Sequence, residues 1–154
     1  MLRFSALSLH ATLAVGTAAP DWHLPGHDGR HYQHARGTWT ILVFYPRDRT
    51  PGCRRQLHAF DAARPELEAR NVRVFGVNFA DVDSHRDFAS CESYRFPLLA
   101  DAGGHVARHF RACIPVPGRP IILRTVYLVG PDECIAFAQR GDPAPALVLA
   151  AVRA

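Results

Sequence analysis

The chain has 154 residues, 48% hydrophobic and 21% charged, which suits one soluble domain with a substantial core rather than a disordered or fibrous chain. Its formal charge is only +4, its arginines are spread along the sequence, and no aromatic–basic stripe interrupts them, so nucleic-acid binding is unsupported. All 18 basic residues are arginine, which excludes a Schiff-base lysine and a lysine-bearing phosphate loop, and no apolar run approaches the roughly 20 residues that span a bilayer.

Residues 1–14 are mildly apolar and fit either an extra strand or an extension. Residues 20–36 carry the turn signals Pro25-Gly26 and Asp28-Gly29 and read as a β-hairpin. His23, His27, His31 and His34 cluster there. A metal site would need a fixed ligand spacing that these positions lack, so a polar hairpin is the favoured reading and no metal is expected. The β-branched, apolar run at 40–45 reads as a buried strand.

A helix start follows this strand. Thr50 suits an N-cap, Pro51 suits the first helical position, and Cys53 then falls in the first turn. Unpaired first-turn amides and the helix dipole favour a thiolate at that place, and the thiolate is the nucleophile. Arg47, Arg49, Arg54 and Arg55 flank it and act in the same direction. Local context alone leaves a reactive thiol and a buried structural cysteine equally open.

Pro65 breaks or kinks any helix continuing to Arg70, so the helix either ends near Ala63 and restarts or bends. Asn71 suits a left-handed cap. A strand at 72–78 comes next, then a helix over about 84–93 capped by Asp83 or Ser84. Phe96–Ala100 reads as a short strand, Gly103-Gly104 as a turn, and His105–Arg111 as a short helix. Residues 114–120, with three prolines, read as an irregular loop. Ile121–Val129 reads as one strong strand, which Gly130-Pro131-Asp132 turns into another at 133–139. A terminal helix covers 144–152. Neither a repeat nor a linker divides the chain, so residues 1–154 are expected to form a single domain. Strands mixed with helices predict an α/β fold, a central sheet covered on both faces.

Four cysteines occur, Cys53, Cys91, Cys113 and Cys134, and no two of them form C-x-x-C or a zinc-finger spacing. The spacing Pro46-x-x-x-Thr50-x-x-Cys53 resembles the active-site signature of the peroxiredoxins, and Phe44–Cys53 resembles that of their Q-type branch, the bacterioferritin comigratory proteins. The resemblance runs from about residue 13 to 140. It takes in Val15–Trp22, Val74–Asn78, Asp83-Ser84-His85 with Phe88, Phe96–Asp101 and Arg124–Val129.

This resemblance implies a thioredoxin-like fold, a central mixed sheet flanked by helices with an N-terminal hairpin. It implies a thiol-dependent peroxidase for hydrogen peroxide and small organic hydroperoxides, working through a sulfenic acid and recycled by thioredoxin or a similar dithiol, with no cofactor. Cys53 would be the peroxidatic residue. The Thr50 hydroxyl would contact sulfur and peroxide, Arg124 would face both, and Pro46 would shield the site. Many Q-type proteins carry a resolving cysteine five residues after the first, where this chain has His58. Another version places it on the next helix, where Cys91 stands, so Cys91 is the expected resolver, ahead of Cys134, Cys113 and a one-cysteine mechanism. A disulfide needs Cα atoms within about 7 Å, so the first turn near Cys53 would have to loosen.

The N-terminus faintly resembles a signal peptide, but His10 interrupts its apolar stretch and the cleavage region overlaps the family's opening segment, so a cytoplasmic protein is expected. The resemblance also implies a monomer. A non-enzymatic redox sensor or holdase on the same fold is the alternative. The absence of C-x-x-C argues against a disulfide- or copper-handling protein.

Overall fold

The computed structural model describes residues 11–114 and 120–153. A small hairpin opens it: β1 (His23–Pro25) pairs antiparallel with β2 (His31–Gln33). The turn is closed by the Gly26 amide donating to the Arg30 carbonyl at 2.7 Å, as the glycine signals predict. Most of the 1–14 segment lies outside the described residues.

The main sheet has the order β5-β4-β3-β8-β9. Its centre is β3 (Trp39–Phe44), parallel to β4 (Val72–Asn78) and antiparallel to β8 (Thr125–Val129). The three-residue β5 (Leu98–Ala100) and β9 (Ile135–Arg140) form the edges. Being central and covered on both faces, β3 reads as an unbroken apolar run rather than an alternation. Its side chains still alternate in destination. Ile41 and Val43 enter one core with Cys53, Leu57, Phe60, Phe88 and Val126, while Leu42 and Phe44 enter another with Phe75, Phe110 and Tyr127.

Helix α1 (Pro51–Ala62) follows β3, and α2 (Arg64–Ala69) restarts after it with Pro65 in its first turn, so the proline ends one helix and begins the next. Asn71 takes the left-handed conformation, φ 55°, that returns the chain to β4. Helix α3 (Val82–Glu92) starts two residues earlier than its sequence suggests. Its cap is Asp81, whose carboxylate accepts the Ser84 amide at 2.8 Å, while Asp83 pairs with Arg86 instead. Short helices α4 (His105–His109) and α5 (Pro145–Leu149) complete the chain.

The expected single strand over 121–129 is two. Ile121–Ile122 is β7, which pairs with β6 (Cys113–Ile114), and the ladder resumes only at Thr125. Leu123 and Arg124 fall between them, because the Leu123 amide bonds outward to Ala112 at 2.7 Å. The proline-rich stretch lies mostly outside the described residues. Sheet order and strand directions make this a thioredoxin-like fold, as expected.

Gly76 shows how closely the core fits around the site. A Cβ there would stand 2.8 Å from Leu98 Cδ2 and 3.1 Å from Tyr45 Cε1. Overpacking of a filled core costs about 1–3 kcal/mol. Gly76→Ala is therefore expected to lower unfolding stability by that amount in a denaturant titration. An unchanged midpoint would show that Tyr45 and Leu98 yield freely.

Candidate active site

Three elements build the site: the end of β3, the first turn of α1, and the break before β8. After Phe44 the chain buries Tyr45 and turns through Pro46–Thr50 with Arg49 in the left-handed region at φ 68°. Thr50 occupies the N-cap position in extended conformation, φ −80° and ψ 147°. It caps by backbone alone. Its carbonyl accepts the Arg54 amide at 2.9 Å, and its hydroxyl donates to the Arg47 carbonyl at 3.3 Å, not to the helix.

Cys53 lies in the first turn, fully buried against the core. Arg124 reaches it from the strand break, where its guanidinium donates from Nη2 to Cys53 Sγ at 3.3 Å. The other arm, Nη1, donates to Gln56 Oε1 at 2.6 Å. Gln56 is itself buried and reaches the Gly141 carbonyl, and the Gly141 amide returns a bond to the Arg124 carbonyl at 2.7 Å. The arginine is thus held at its backbone and at its head. Sequence reasoning missed Gln56; its signal was its place one helical turn after Cys53, on the same buried face.

Pro46 and Thr50 line a cleft of about 930 Å³ with Asp48, Asn78, Phe79, Ile121 and Ile122. Asp48 anchors the loop beneath it. Its carboxylate accepts from the Tyr45 hydroxyl at 2.7 Å, Asn78 Nδ2 at 3.0 Å and the Ser84 hydroxyl at 3.1 Å. It also faces His85 Nδ1 at 2.9 Å, while His85 Nε2 faces the Leu99 carbonyl at 3.0 Å. Burial alone would raise the Asp48 pKa, but the bond and charge of His85, with Tyr45 and Asn78, hold it below the ordinary range. Burial and the adjacent Asp48 push the Tyr45 phenol well up, so it stays a donor. This network was invisible in the sequence because its members are 30 to 37 positions from Asp48, apart from Tyr45.

All four cysteines are free thiols. Cys91 is exposed near the end of α3; Cys113 is buried, and burial raises its pKa; Cys134 is half-buried, its thiol 3.8 Å from the Asp132 carbonyl. The structure therefore brings Cys53 and Arg124 together, places Pro46 and Thr50 on the neighbouring cleft, and puts Cys91 on a separate helix. The histidines of the hairpin have other partners. His23 and His31 stack at 5.1 Å, the Leu98 amide donates to His27 Nδ1 at 2.9 Å, and His34 meets the Thr40 hydroxyl at 3.1 Å. No helix of the described residues is long and apolar enough to cross a membrane.

Comparison with known proteins places the chain in a family. The AhpC/TSA family pattern matches residues 15–138. Peroxiredoxin Bcp of Xanthomonas campestris pv. campestris is 31% identical over 108 residues, 68% of this chain and 68% of its own length. The chloroplastic peroxiredoxin Q of japonica rice is 33% identical over 100 residues, 64% of this chain and 46% of that longer protein. Among solved structures, peroxiredoxin Q of Xanthomonas campestris superposes with a TM-score of 0.77 at 26% identity, covering 84% of this chain and 89% of that one. The peroxidoxin BcpB of Mycobacterium tuberculosis, at 24% identity, shares the fold with a TM-score of 0.80 over 92% of this chain and 94% of its own. The chain belongs to the AhpC/TSA family and is a peroxiredoxin of the Bcp/Q kind, a thiol-dependent peroxidase.

Proposed function

We propose that Cys53 is the peroxidatic residue and that Arg124, Thr50 and Pro46 form its site. The observation carrying this reading is the Arg124 guanidinium 3.3 Å from Cys53 Sγ at the start of a helix. Peroxide enters from the cleft beside Pro46. The Cys53 thiolate attacks one peroxide oxygen and the O–O bond breaks. One oxygen stays on sulfur as sulfenic acid, and the other leaves as water or alcohol after taking a proton. Arg124 stabilises the charge that moves from sulfur to the leaving oxygen. The Thr50 hydroxyl turns from the Arg47 carbonyl to the peroxide, and Pro46 limits water at the sulfur. First-turn amides add donors.

Cys91 then resolves the sulfenic acid, forming a Cys53–Cys91 disulfide and releasing water. Its exposure at the end of α3 supports this role over the buried Cys113. A thioredoxin or similar dithiol reduces the disulfide. Hydrogen peroxide and small organic hydroperoxides are the substrates. The chain works as a single-domain monomer in the cytoplasm, without nucleic-acid or membrane partners.

The test is peroxide consumption coupled to thioredoxin, its reductase and NADPH. Sustained turnover is expected, and one equivalent consumed without recycling would favour a redox sensor. Cys53→Ser is expected to abolish turnover with the fold retained, and wild-type activity in that variant would overturn the assignment. Arg124→Met is expected to slow the peroxide reaction by about 10²–10³-fold, the usual effect of removing one charge-stabilising donor. Rapid-mixing kinetics at saturating reductant measure it, and a rate within twofold of wild type would remove Arg124 from the mechanism.

The resolver is tested separately. Cys91→Ser is expected to consume peroxide once, accumulate sulfenic and then sulfinic acid at Cys53, and lose thioredoxin-linked turnover. Peptide mapping that links Cys53 to Cys134 or Cys113, or normal turnover in the variant, would reassign the role.

A further inference from the structure

The outer face of α1 is fastened to the end of α3 by side chains that the peroxide chemistry does not use. Glu92, the last residue of α3, holds two residues of α1 at once. Arg54 Nε meets Glu92 Oε1 at 2.8 Å, and His58 Nε2 meets Glu92 Oε2 at 2.7 Å. The acid is the sheltered member, with its side chain 18% exposed against 48% for Arg54 and 47% for His58. The next residues add to the grip. The Tyr94 hydroxyl donates to the Arg54 carbonyl at 3.4 Å, and the Tyr94 ring lies 4.9 Å from that of His58. The Arg95 amide donates to Asp61 Oδ1 at 2.9 Å. Positions 54, 58 and 61 are spaced to lie on one helix face.

The location gives this contact a function. Arg54 directly follows Cys53, and Glu92 directly follows Cys91. Cys53 is fully buried in the first turn of α1, so a bond to the exposed Cys91 requires that turn to open toward the last turn of α3. The same two turns are the ones that Glu92 ties together.

We propose that Glu92 is a positioning residue for the resolving step: by holding Arg54 and His58 it sets how fast the sulfenic acid at Cys53 reaches Cys91. This rests on the reading of Cys91 as resolver. Cys53–SOH and the Cys91 thiol form one S–S bond, the S–OH bond breaks, and the hydroxyl leaves as water with the thiol proton. The competing reaction is attack by a second peroxide molecule, which takes the sulfenic acid to sulfinic acid. A tight grip therefore favours over-oxidation, and a loose one favours the disulfide.

The test uses the full chain, reduced and then mixed with hydrogen peroxide, comparing wild type with Glu92→Gln. Partly exposed ion pairs are individually weak, so the rate of Cys53–Cys91 disulfide formation is expected to rise roughly three- to tenfold. The peroxide dose that converts half of Cys53 to sulfinic acid should rise by a similar factor, and the second-order rate of the first peroxide reaction should stay within twofold. A merely structural role would slow that first reaction as well. In a Cys91→Ser background the Glu92 change should no longer alter the sulfinic dose. Unchanged disulfide rate and sulfinic dose in Glu92→Gln would overturn the proposal, as would a first reaction slowed as much as the second is altered. Amide exchange in the reduced protein separates the two readings. If the grip is real, residues 53–58 exchange faster in Glu92→Gln whichever cysteine resolves; unchanged exchange overturns the grip. A disulfide mapped to Cys134 or Cys113 overturns its link to Cys91.

Discussion

The bond from Arg124 to the Cys53 sulfur is the contact around which the candidate site is built. Side chains alternate along β8, and Arg124, just before it, shares the parity of Val126 and Leu128, which enter the same core as Cys53. The backbone on either side of Arg124 is held by two different partners. The Leu123 amide turns to Ala112, the Arg124 carbonyl is taken by the Gly141 amide, and the guanidinium lies across the first turn of α1. Gln56 completes the arrangement by holding the second arm. A guanidinium is a planar fork that can engage two acceptors at once, which a lysine ammonium does not do with the same fixed geometry. One arm is fixed on an amide oxygen and the other is left facing sulfur.

How much of this the sequence revealed follows from the range of each interaction. The helix start at Thr50-Pro51 and an interruption at Pro65 were legible because capping and proline geometry are local, though a restart and a bend read alike. The hairpin was legible from its glycines. The unbroken apolar run of β3 correctly implied burial on both faces, although it did not say which residue enters which core. What failed was of longer range. Ile121–Val129 reads as one apolar strand, so nothing local marks the gap at Leu123–Arg124; Ile121–Ile122 pairs instead with Cys113–Ile114. The cap of α3 was misplaced because Asp81, Asp83 and Ser84 are all competent caps, and only the folded chain shows which carboxylate meets a free amide. Arg124 itself was found by resemblance, since a lone arginine beside an apolar strand has no signature of its own.

Asp48 shows why the loop before Cys53 stays in place despite a left-handed residue at Arg49. A non-glycine residue in that region is held by its surroundings rather than by its own preference. Here the adjacent carboxylate supplies the holding. It gathers donors from Tyr45, from Asn78 at the end of β4, and from Ser84 and His85 in the first turns of α3. Those are three separate segments, so the loop cannot shift without breaking bonds to each. Buried carboxylates are costly unless so satisfied, and removing any one donor leaves the remaining charge less compensated.

Helix α3 is therefore fastened to the segment around Cys53 at both ends, but by different kinds of contact. At its start the partner is Asp48, in a sheltered network with His85 fully buried. At its end the partner is the pair Arg54 and His58, half-exposed and joined through Glu92. Buried, multiply bonded carboxylates resist separation, whereas exposed pairs compete with water and salt and exchange easily. Motion that separates α1 from α3 thus has an easier end and a harder one. The easier end carries Cys91, next to Glu92, and Arg54, next to Cys53; the harder end holds Pro46, Asp48 and Thr50 around the cleft. Opening from the Glu92 side, as proposed above, would loosen the two cysteine-bearing turns and leave the floor of the cleft in place.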